Sequence, residues 1–409
     1  MNRFKITTFP LADKTILLRA DLDVPVANGK VTDNRRLKAA LPTIQFLLQN
    51  NCRIIIIGHL GRPEGKIVEQ LSLKPAFKEL KQLLLPEHLP EQLIFLTDSI
   101  GREIKNRIKI GKPKDIFMLE NLRFYKEEEE NDAAFAHSLA SLADIYINDA
   151  FANSHRKHAS MEAVTNYLPS LAGIQVETEL QELSKALRPL TPVIWILGGA
   201  KLDKLGLLKK LLDDADQILI GGALAFPFLR AKGFRTGMSK VTADSISIAK
   251  KILQDKQASK IILPLDFIAA EEMKPEAKPV VVPFDNINSR QIALDLGPET
   301  IKLFKQQLRK AKTIVWNGPL GYFEWAAFSK STKEIGRFIS KLTAISICGG
   351  GDTAKALQQF HLEDAMTHVS TGGGAAIAFL EGNKLIAITA LEENYLKFKE
   401  KINSLTGDL

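Results

Sequence analysis

The stretch from Ile345 to Leu357, ISICGGGDTAKAL, decides the reading of the fold. A β-branched run reaches three glycines, then Asp352 and Thr353, then residues that favour helix. Where a strand turns into a helix in this way, backbone N–H groups and the helix dipole together attract an anion. Asp352 stands where a carboxylate can hold Mg²⁺ beside phosphates. Glycine also serves ordinary tight turns, so one such stretch decides nothing alone. The pattern recurs, however. PVIWIL runs into GGAKLDK, QILI into GGALAF, and TIVW into NGPLG, while HVSTGGGAAIAF adds a further glycine turn.

Toward the N-terminus the same alternation continues without the glycines. TILLRA (Thr15 to Ala20) precedes DLDVP, and RIIII (Arg53 to Ile57) precedes GHLGRPEG. IFML precedes ENLRF, and DIYIN precedes DAFANSHRKH. Near-continuous apolar runs alternating with helical segments predict parallel sheets covered on both faces. In such sheets ligands bind beyond the carboxyl ends of the strands. His59, Arg62, Arg123, His155 and Arg156 fall there, with Asp21 and Asp23, and Arg36 starts the helix that follows the first strand. Each arginine alone is an ordinary surface charge. Gathered at strand ends they describe a site for a small polyanion, because guanidinium forks match phosphate and carboxylate.

The bulk properties agree. A chain of 409 residues, 45% hydrophobic and 25% charged, predicts a globular protein of two domains. No run approaches a membrane span, and the start MNRFKITTFPLADK lacks the form of a signal peptide. Cys52 and Cys348 lie in apolar runs, which predicts buried free thiols and a cytoplasmic protein. The net charge of +8 is spread along the chain without a basic tract or basic–aromatic alternation, so small anions are expected rather than nucleic acid or a membrane. Neither G-x-G-x-x-G nor G-x-x-x-x-G-K-[ST] is present. The Glu-rich KEEEEND (Lys126 to Asp132) reads as a solvated helix start. LAGIQVETELQELSKAL, Leu171 to Leu187, reads as a connecting helix, and the tail from Glu392 as a docked helix with Tyr395, Leu396, Phe398 and Ile402 on its apolar face.

In order along the chain, RADLDVP, GHLGRP, LENLR, DAFANSHR, ILGGAK, IGGALAF, DLGP, TIVWNGPLGYFE, GGGDT and STGGGA resemble the motifs of phosphoglycerate kinase. The resemblance implies an α/β fold of two doubly wound parallel-sheet (Rossmann-like) domains joined by a connecting helix. It gives an N-terminal triose-phosphate domain over 1–170 with the tail 392–409 packed back on it, a connecting segment over 171–188, and a nucleotide domain over 189–391. It implies a monomer that binds 3-phosphoglycerate or 1,3-bisphosphoglycerate and MgADP or MgATP, with closure over the connecting helix, where Glu179 matches a hinge position. Asp21, Asp23, Arg36, His59, Arg62, Arg123 and Arg156 are implied to hold the triose. Lys201, Gly221, Asn317, Pro319, Glu324, Gly350, Gly351, Asp352 and Thr353 are implied to hold the nucleotide, with Glu324 on the ribose and Asp352 on the metal. Arg36, Lys201, Lys204 and the turn at Gly372 to Gly374 are implied to face the transferring phosphoryl group.

The sequence departs from the family pattern in places. Asp23 replaces the usual asparagine of R-x-D-x-N-x-P, which adds a carboxylate beside an anionic substrate unless a neighbouring arginine pairs with it. Only Leu202 and Asp203 separate Lys201 from Lys204, one residue fewer than usual, so Lys204 shifts by about 100° on a helix. Ala223 stands where a third glycine is common. A catalytically impaired relative kept as an anion-binding protein is the competing reading that these departures raise.

Overall fold

The computed structural model describes residues 5–84, 92–200, 205–398 and 400. The chain divides into two compact units, 1–181 with 383–409 and 182–382. The strands in chain order are β1 (Thr15–Ala20), β2 (Val26–Ala27), β3 (Lys30–Val31), β4 (Arg53–Ile57), β5 (Leu93–Phe95), β6 (Ile116–Met118), β7 (Ile145–Asp149) and β8 (Ser170–Ala172) in the first unit. The second unit holds β9 (Val193–Leu197), β10 (Gln217–Ile220), β11 (Ile261–Ile262), β12 (Asp266–Ala270), β13 (Val280–Pro283), β14 (Ile292–Leu296), β15 (Thr313–Asn317), β16 (Ile345–Gly349) and β17 (His368–Val369).

In the first unit a six-stranded parallel sheet runs β5-β6-β4-β1-β7-β8. Its central strands are buried along their length, which is why they read as unbroken apolar runs. The second unit repeats the plan with β11-β10-β9-β15-β16-β17, also parallel. Beside it β12 pairs antiparallel with β13 and β14, a small sheet the sequence reading did not anticipate. In each large sheet the chain crosses to the other side of its first strand, between β1 and β7 in the first and between β9 and β15 in the second. The carboxyl ends of strands flanking such a crossing are where open α/β sheets bind ligands.

The helix Ile174–Leu187 carries the chain from one unit to the other, with the division at Gln181 and Glu182. Its start is tied to the first sheet: Asp149, the last residue of β7, accepts the Gln175 N–H through Oδ1 at 2.9 Å. Val176, Glu179, Leu180 and Leu183 are buried along it. The chain re-enters the first unit at Asn383, ahead of Glu392 where the tail was expected to begin.

The terminal helix Ile386–Lys397 docks through a different face from the one expected. Ala387, Leu391 and Asn394 are buried, whereas Leu396 is 72% exposed; Ile402 lies outside the described residues. Ala387 packs with Ala150 and Met161, and its N–H donates to Ser154 O at 3.0 Å. Asn394 accepts the Ser170 N–H and donates to the carbonyls of Thr165 and Leu168. A buried amide with three partners explains why a polar residue occupies the inward position. Both cysteines are free and buried, and burial pushes each thiol up to about 12. No helix among the described residues is long and apolar enough to cross a membrane.

Candidate functional site

In the first unit the apolar strands end and polar side chains begin at one edge of the sheet. Asp21 follows β1 and is buried. Arg36, on the next helix, reaches back with Nη1 to Asp21 Oδ1 at 3.3 Å and donates to the Asp23 carbonyl at 2.8 Å. The Asp23 carboxylate accepts the Gly61 N–H at 2.9 Å, with its other oxygen 3.7 Å from Arg36 and 3.8 Å from His59 Nε2. Asp23 therefore has an arginine beside it and a backbone donor, the arrangement that makes a second carboxylate tolerable here. Arg123 donates to the Gly61 carbonyl at 2.8 Å and lies 3.4 Å from Glu129. Arg62 is exposed and lies outside this bonded network.

Beneath these residues is a layer the sequence reading missed. Arg19, inside β1, is fully buried. Its Nε donates to Ser160 Oγ at 2.9 Å, Nη1 to the Ala20 carbonyl at 2.6 Å, and Nη2 lies 3.0 Å from His59 Nδ1. Ser160 donates its hydroxyl to Glu128 Oε1 at 2.6 Å and its N–H to Oε2 at 2.9 Å. Glu128 belongs to the Glu-rich run expected to be solvated, yet it is 0% exposed. The expectation fails because this glutamate turns inward to balance the arginines, as a buried charge must. A charged residue inside an apolar strand, Arg19 in TILLRA, was the available signal.

The charges sort by side-chain type. Burial is the main cause that holds His59, His155 and His158 below the ordinary imidazole range, and nearby arginines add to it, bringing His158 to about 3. These histidines are neutral, and the positive charge of the site lies on its arginines. Burial lowers Arg123 to about 10, within the range where it stays charged at neutral pH. Burial raises Asp21 and Glu128, against the pull of Arg36 and Arg19 respectively. Among the described residues Arg123 Nη2, Arg156 Nε and His155 Nδ1 are buried and lack a hydrogen-bond partner. The two guanidinium nitrogens are obligate donors, and left this way they are costly unless an anion meets them.

In the second unit the strand ends are built from backbone. Gly199 N–H donates to the Pro319 carbonyl at 2.7 Å, Ala223 N–H to the Gly199 carbonyl at 3.0 Å, and Gly222 N–H to the Leu320 carbonyl at 3.1 Å. The turns after β9, β10 and β15 thereby interlock, and a Cβ on Gly198 or Gly222 would strike that backbone. Gly221 and Pro319 are buried in this junction. After β16, Gly350 has φ +92° and opens the helix Gly351–Gln359, with Thr353 Oγ1 accepting the Gly318 N–H at 2.7 Å. A Cβ on Gly350 would come 3.2 Å from Asn317 Oδ1, while Gly349 and Gly351 face open space. Asp352 is exposed in the first turn. Glu324 is exposed on the loop after β15. That loop is tied to β14: Tyr322 N–H donates to the Leu294 carbonyl at 2.8 Å, and a Cβ on Gly321 would collide with Asp295. Gly372 donates its N–H to Ser370 Oγ at 3.0 Å, and Gly373 and Gly374 open the next helix, where N–H groups have no intrahelical partner. Lys201 and Lys204 lie outside the described residues.

One unit thus offers buried cationic donors and the other glycine-built helix starts, over a chain matched along nearly its whole length by one family model. That model, phosphoglycerate kinase, matches residues 6–383. The chain belongs to the phosphoglycerate kinase family. The phosphoglycerate kinase of Chloroherpeton thalassium is 44% identical over 96% of this chain and 99% of its own length. That of Dictyoglomus turgidum is 43% identical, covering 94% and 96%. Among solved structures, phosphoglycerate kinase from Pyrococcus horikoshii matches with a TM-score of 0.87 at 32% identity, covering 97% of this chain and all of that one. The Coxiella burnetii enzyme gives 0.82 at 38%, covering 95% and 99%. Family membership makes the chain a phosphotransferase with a carboxyl group as acceptor and does not favour the impaired-relative reading.

No group of three or more potential metal ligands exists among the described residues. A single exposed carboxylate, Asp352, at a helix start fits Mg²⁺ that arrives with a nucleotide and takes most of its ligands from phosphates and water.

Proposed function

We propose that this chain catalyses reversible phosphoryl transfer between 1,3-bisphosphoglycerate and ADP, giving 3-phosphoglycerate and ATP, in glycolysis and gluconeogenesis. The observation that carries the reading is the pair of buried, unpartnered guanidinium donors on Arg123 and Arg156, which an anionic substrate would satisfy. Asp21, Arg36, His59, Arg62, Arg123 and Arg156 hold the triose, and the Asp23 carboxylate lines the same site. Lys201, Gly221, Asn317, Pro319, Glu324, Gly350, Gly351, Asp352 and Thr353 hold the nucleotide.

The nucleophile is a carboxylate or a β-phosphate oxygen, already ionised at neutral pH, so no general base is needed. A P–O bond forms to one oxygen as the bond to the other breaks. The task is to align two anions and offset the charge on the equatorial oxygens of a loose transition state. Arg36, Lys201, Lys204 and the backbone N–H groups of the Gly372 to Gly374 turn supply donors for it. Mg²⁺ bound with the nucleotide adds charge neutralisation, with Asp352 as its protein contact. The enzyme is a cytoplasmic monomer, and it closes on its two substrates to exclude water. Compaction in small-angle scattering with both substrates present checks the closure.

The direct test supplies 3-phosphoglycerate and MgATP and follows 1,3-bisphosphoglycerate through a coupled dehydrogenase. Turnover dependent on both substrates is expected; folded protein without turnover refutes the proposal.

A further inference from the structure

We infer that a buried chain of hydrogen bonds, Glu128–Ser160–Arg19–His59, fixes His59 as its Nε2–H tautomer, so that it presents a neutral donor on the side of Asp23 and Arg36. Arg19 and Ser160 are then positioning residues for the triose site. Neither is among the residues that the family resemblance assigns to it.

The assignment follows from counting protons. Ser160 has one hydroxyl proton, and Glu128 Oε1 takes it at 2.6 Å. The Ser160 oxygen is left to accept from Arg19 Nε at 2.9 Å. Arg19 is held at a second point by the Ala20 carbonyl. With the guanidinium plane fixed at two atoms, Nη2 has one direction, and it meets His59 Nδ1 at 3.0 Å. Guanidinium donates and never accepts. The contact therefore requires a lone pair on Nδ1, and the single proton of the neutral ring resides on Nε2. A doubly protonated ring, or the other tautomer, would set N–H against N–H.

Glu128, Ser160, Arg19 and His59 are 0, 0, 0 and 2% exposed, so water cannot replace a lost partner. Nε2 is on the side of the Asp23 carboxylate, 3.8 Å from Oδ2. A donor there suits a substrate carboxylate or hydroxyl oxygen. It does so without a further positive charge among Arg19, Arg123 and Arg156. The second-layer residues thus set which way the site's histidine speaks, as partners of metal-bound histidines do elsewhere.

The tautomer assignment stands on geometry alone; its kinetic consequence rests on the proposed function. The experiment uses the full chain labelled with nitrogen-15 in histidine, and long-range proton–nitrogen correlation at pH 7, with His59 assigned by its loss in His59→Asn. The expected spectrum shows a protonated Nε2 and a bare Nδ1. A protonated Nδ1 overturns the inference. Arg19→Lys keeps the charge but cannot hold Ser160 and His59 at once. It is expected to mix the tautomers and raise KM for 3-phosphoglycerate about tenfold, the worth of one charge-assisted hydrogen bond, with KM for MgATP unchanged. If Arg19→Lys does not fold, Ser160→Ala, which loses a hydroxyl only, carries the same test in the same direction. Unchanged tautomer and unchanged KM, or equal rises in both KM values, overturn the positioning role. The expected tautomer in a wild-type protein without turnover would uphold the assignment and refute the proposed function instead.

Discussion

Replacing Asp23 by asparagine isolates the cost of the extra carboxylate in the triose site. The substitution keeps the shape and the acceptor for the Gly61 N–H, which Asp23 Oδ1 takes at 2.9 Å. What disappears is the charge 3.7 Å from Arg36, in a pair whose side chains are 40% and 29% exposed. An ion pair so open to solvent is worth at most about 1 kcal/mol, and the Arg36 bond to the Asp23 carbonyl survives the change. Stability should therefore fall by under ~1 kcal/mol. Binding should move the other way. A carboxylate repelling a substrate anion across roughly 6 Å of wet site costs about 0.7 kcal/mol at a dielectric constant near ~80, or about threefold in affinity. KM for 3-phosphoglycerate, measured at saturating MgATP in the coupled assay, should drop about threefold, and the gap should narrow at high salt because the repulsion is screened. An unchanged or higher KM in a protein of unchanged stability would show that Asp23 is already neutralised by Arg36 or bonds the substrate itself.

Three further outcomes follow from particular residues. Burial pushes Asp295 up to about 7 despite its bonds from Ser331. Between pH 4 and 7 the folded state holds a proton that the unfolded chain has shed, so stability falls as pH rises. From pH 5 to 7 the wild type should lose about 2 kcal/mol more than Asp295→Asn in urea unfolding; parallel slopes would refute the assignment. Asn394→Ala removes three hydrogen bonds that tie the terminal helix to the first unit. It should cost about 3 kcal/mol, read by urea unfolding, and an effect below ~1 kcal/mol would mean that the amide matters little. Asp352→Ala should raise KM for MgATP at least about tenfold, with KM for 3-phosphoglycerate held, as expected for loss of one metal contact; a change confined to 3-phosphoglycerate would remove Asp352 from the nucleotide site.

The parts of the fold visible in the sequence were those set by local rules. Strands buried on both faces leave unbroken apolar runs, and RIIII or VIWIL cannot be hidden. Turns in which a Cβ has no room leave glycines, as at Gly198 and Gly222. The parts that escaped depend on contacts distant in sequence. Glu128 looks solvated inside KEEEEND, and only Ser160 and Arg19, brought to it by folding, show why it is buried. In the terminal helix, apolar spacing favoured Leu396, but the buried position belongs to Asn394, whose partners lie more than two hundred residues away. Polar residues that fold inward onto distant partners leave no periodic trace.

The central claim is that a phosphoryl group passes between a nucleotide and a carboxylate. The most direct measurement incubates the protein with ATP radiolabelled at the γ-phosphoryl group, Mg²⁺ and 3-phosphoglycerate, and then treats the product with hydroxylamine, which cleaves acyl phosphates and spares phosphate esters. Label in a hydroxylamine-labile product, formed only when 3-phosphoglycerate is present, is the predicted result. Label that remains with ATP, or that appears only as a stable ester or as inorganic phosphate, contradicts it.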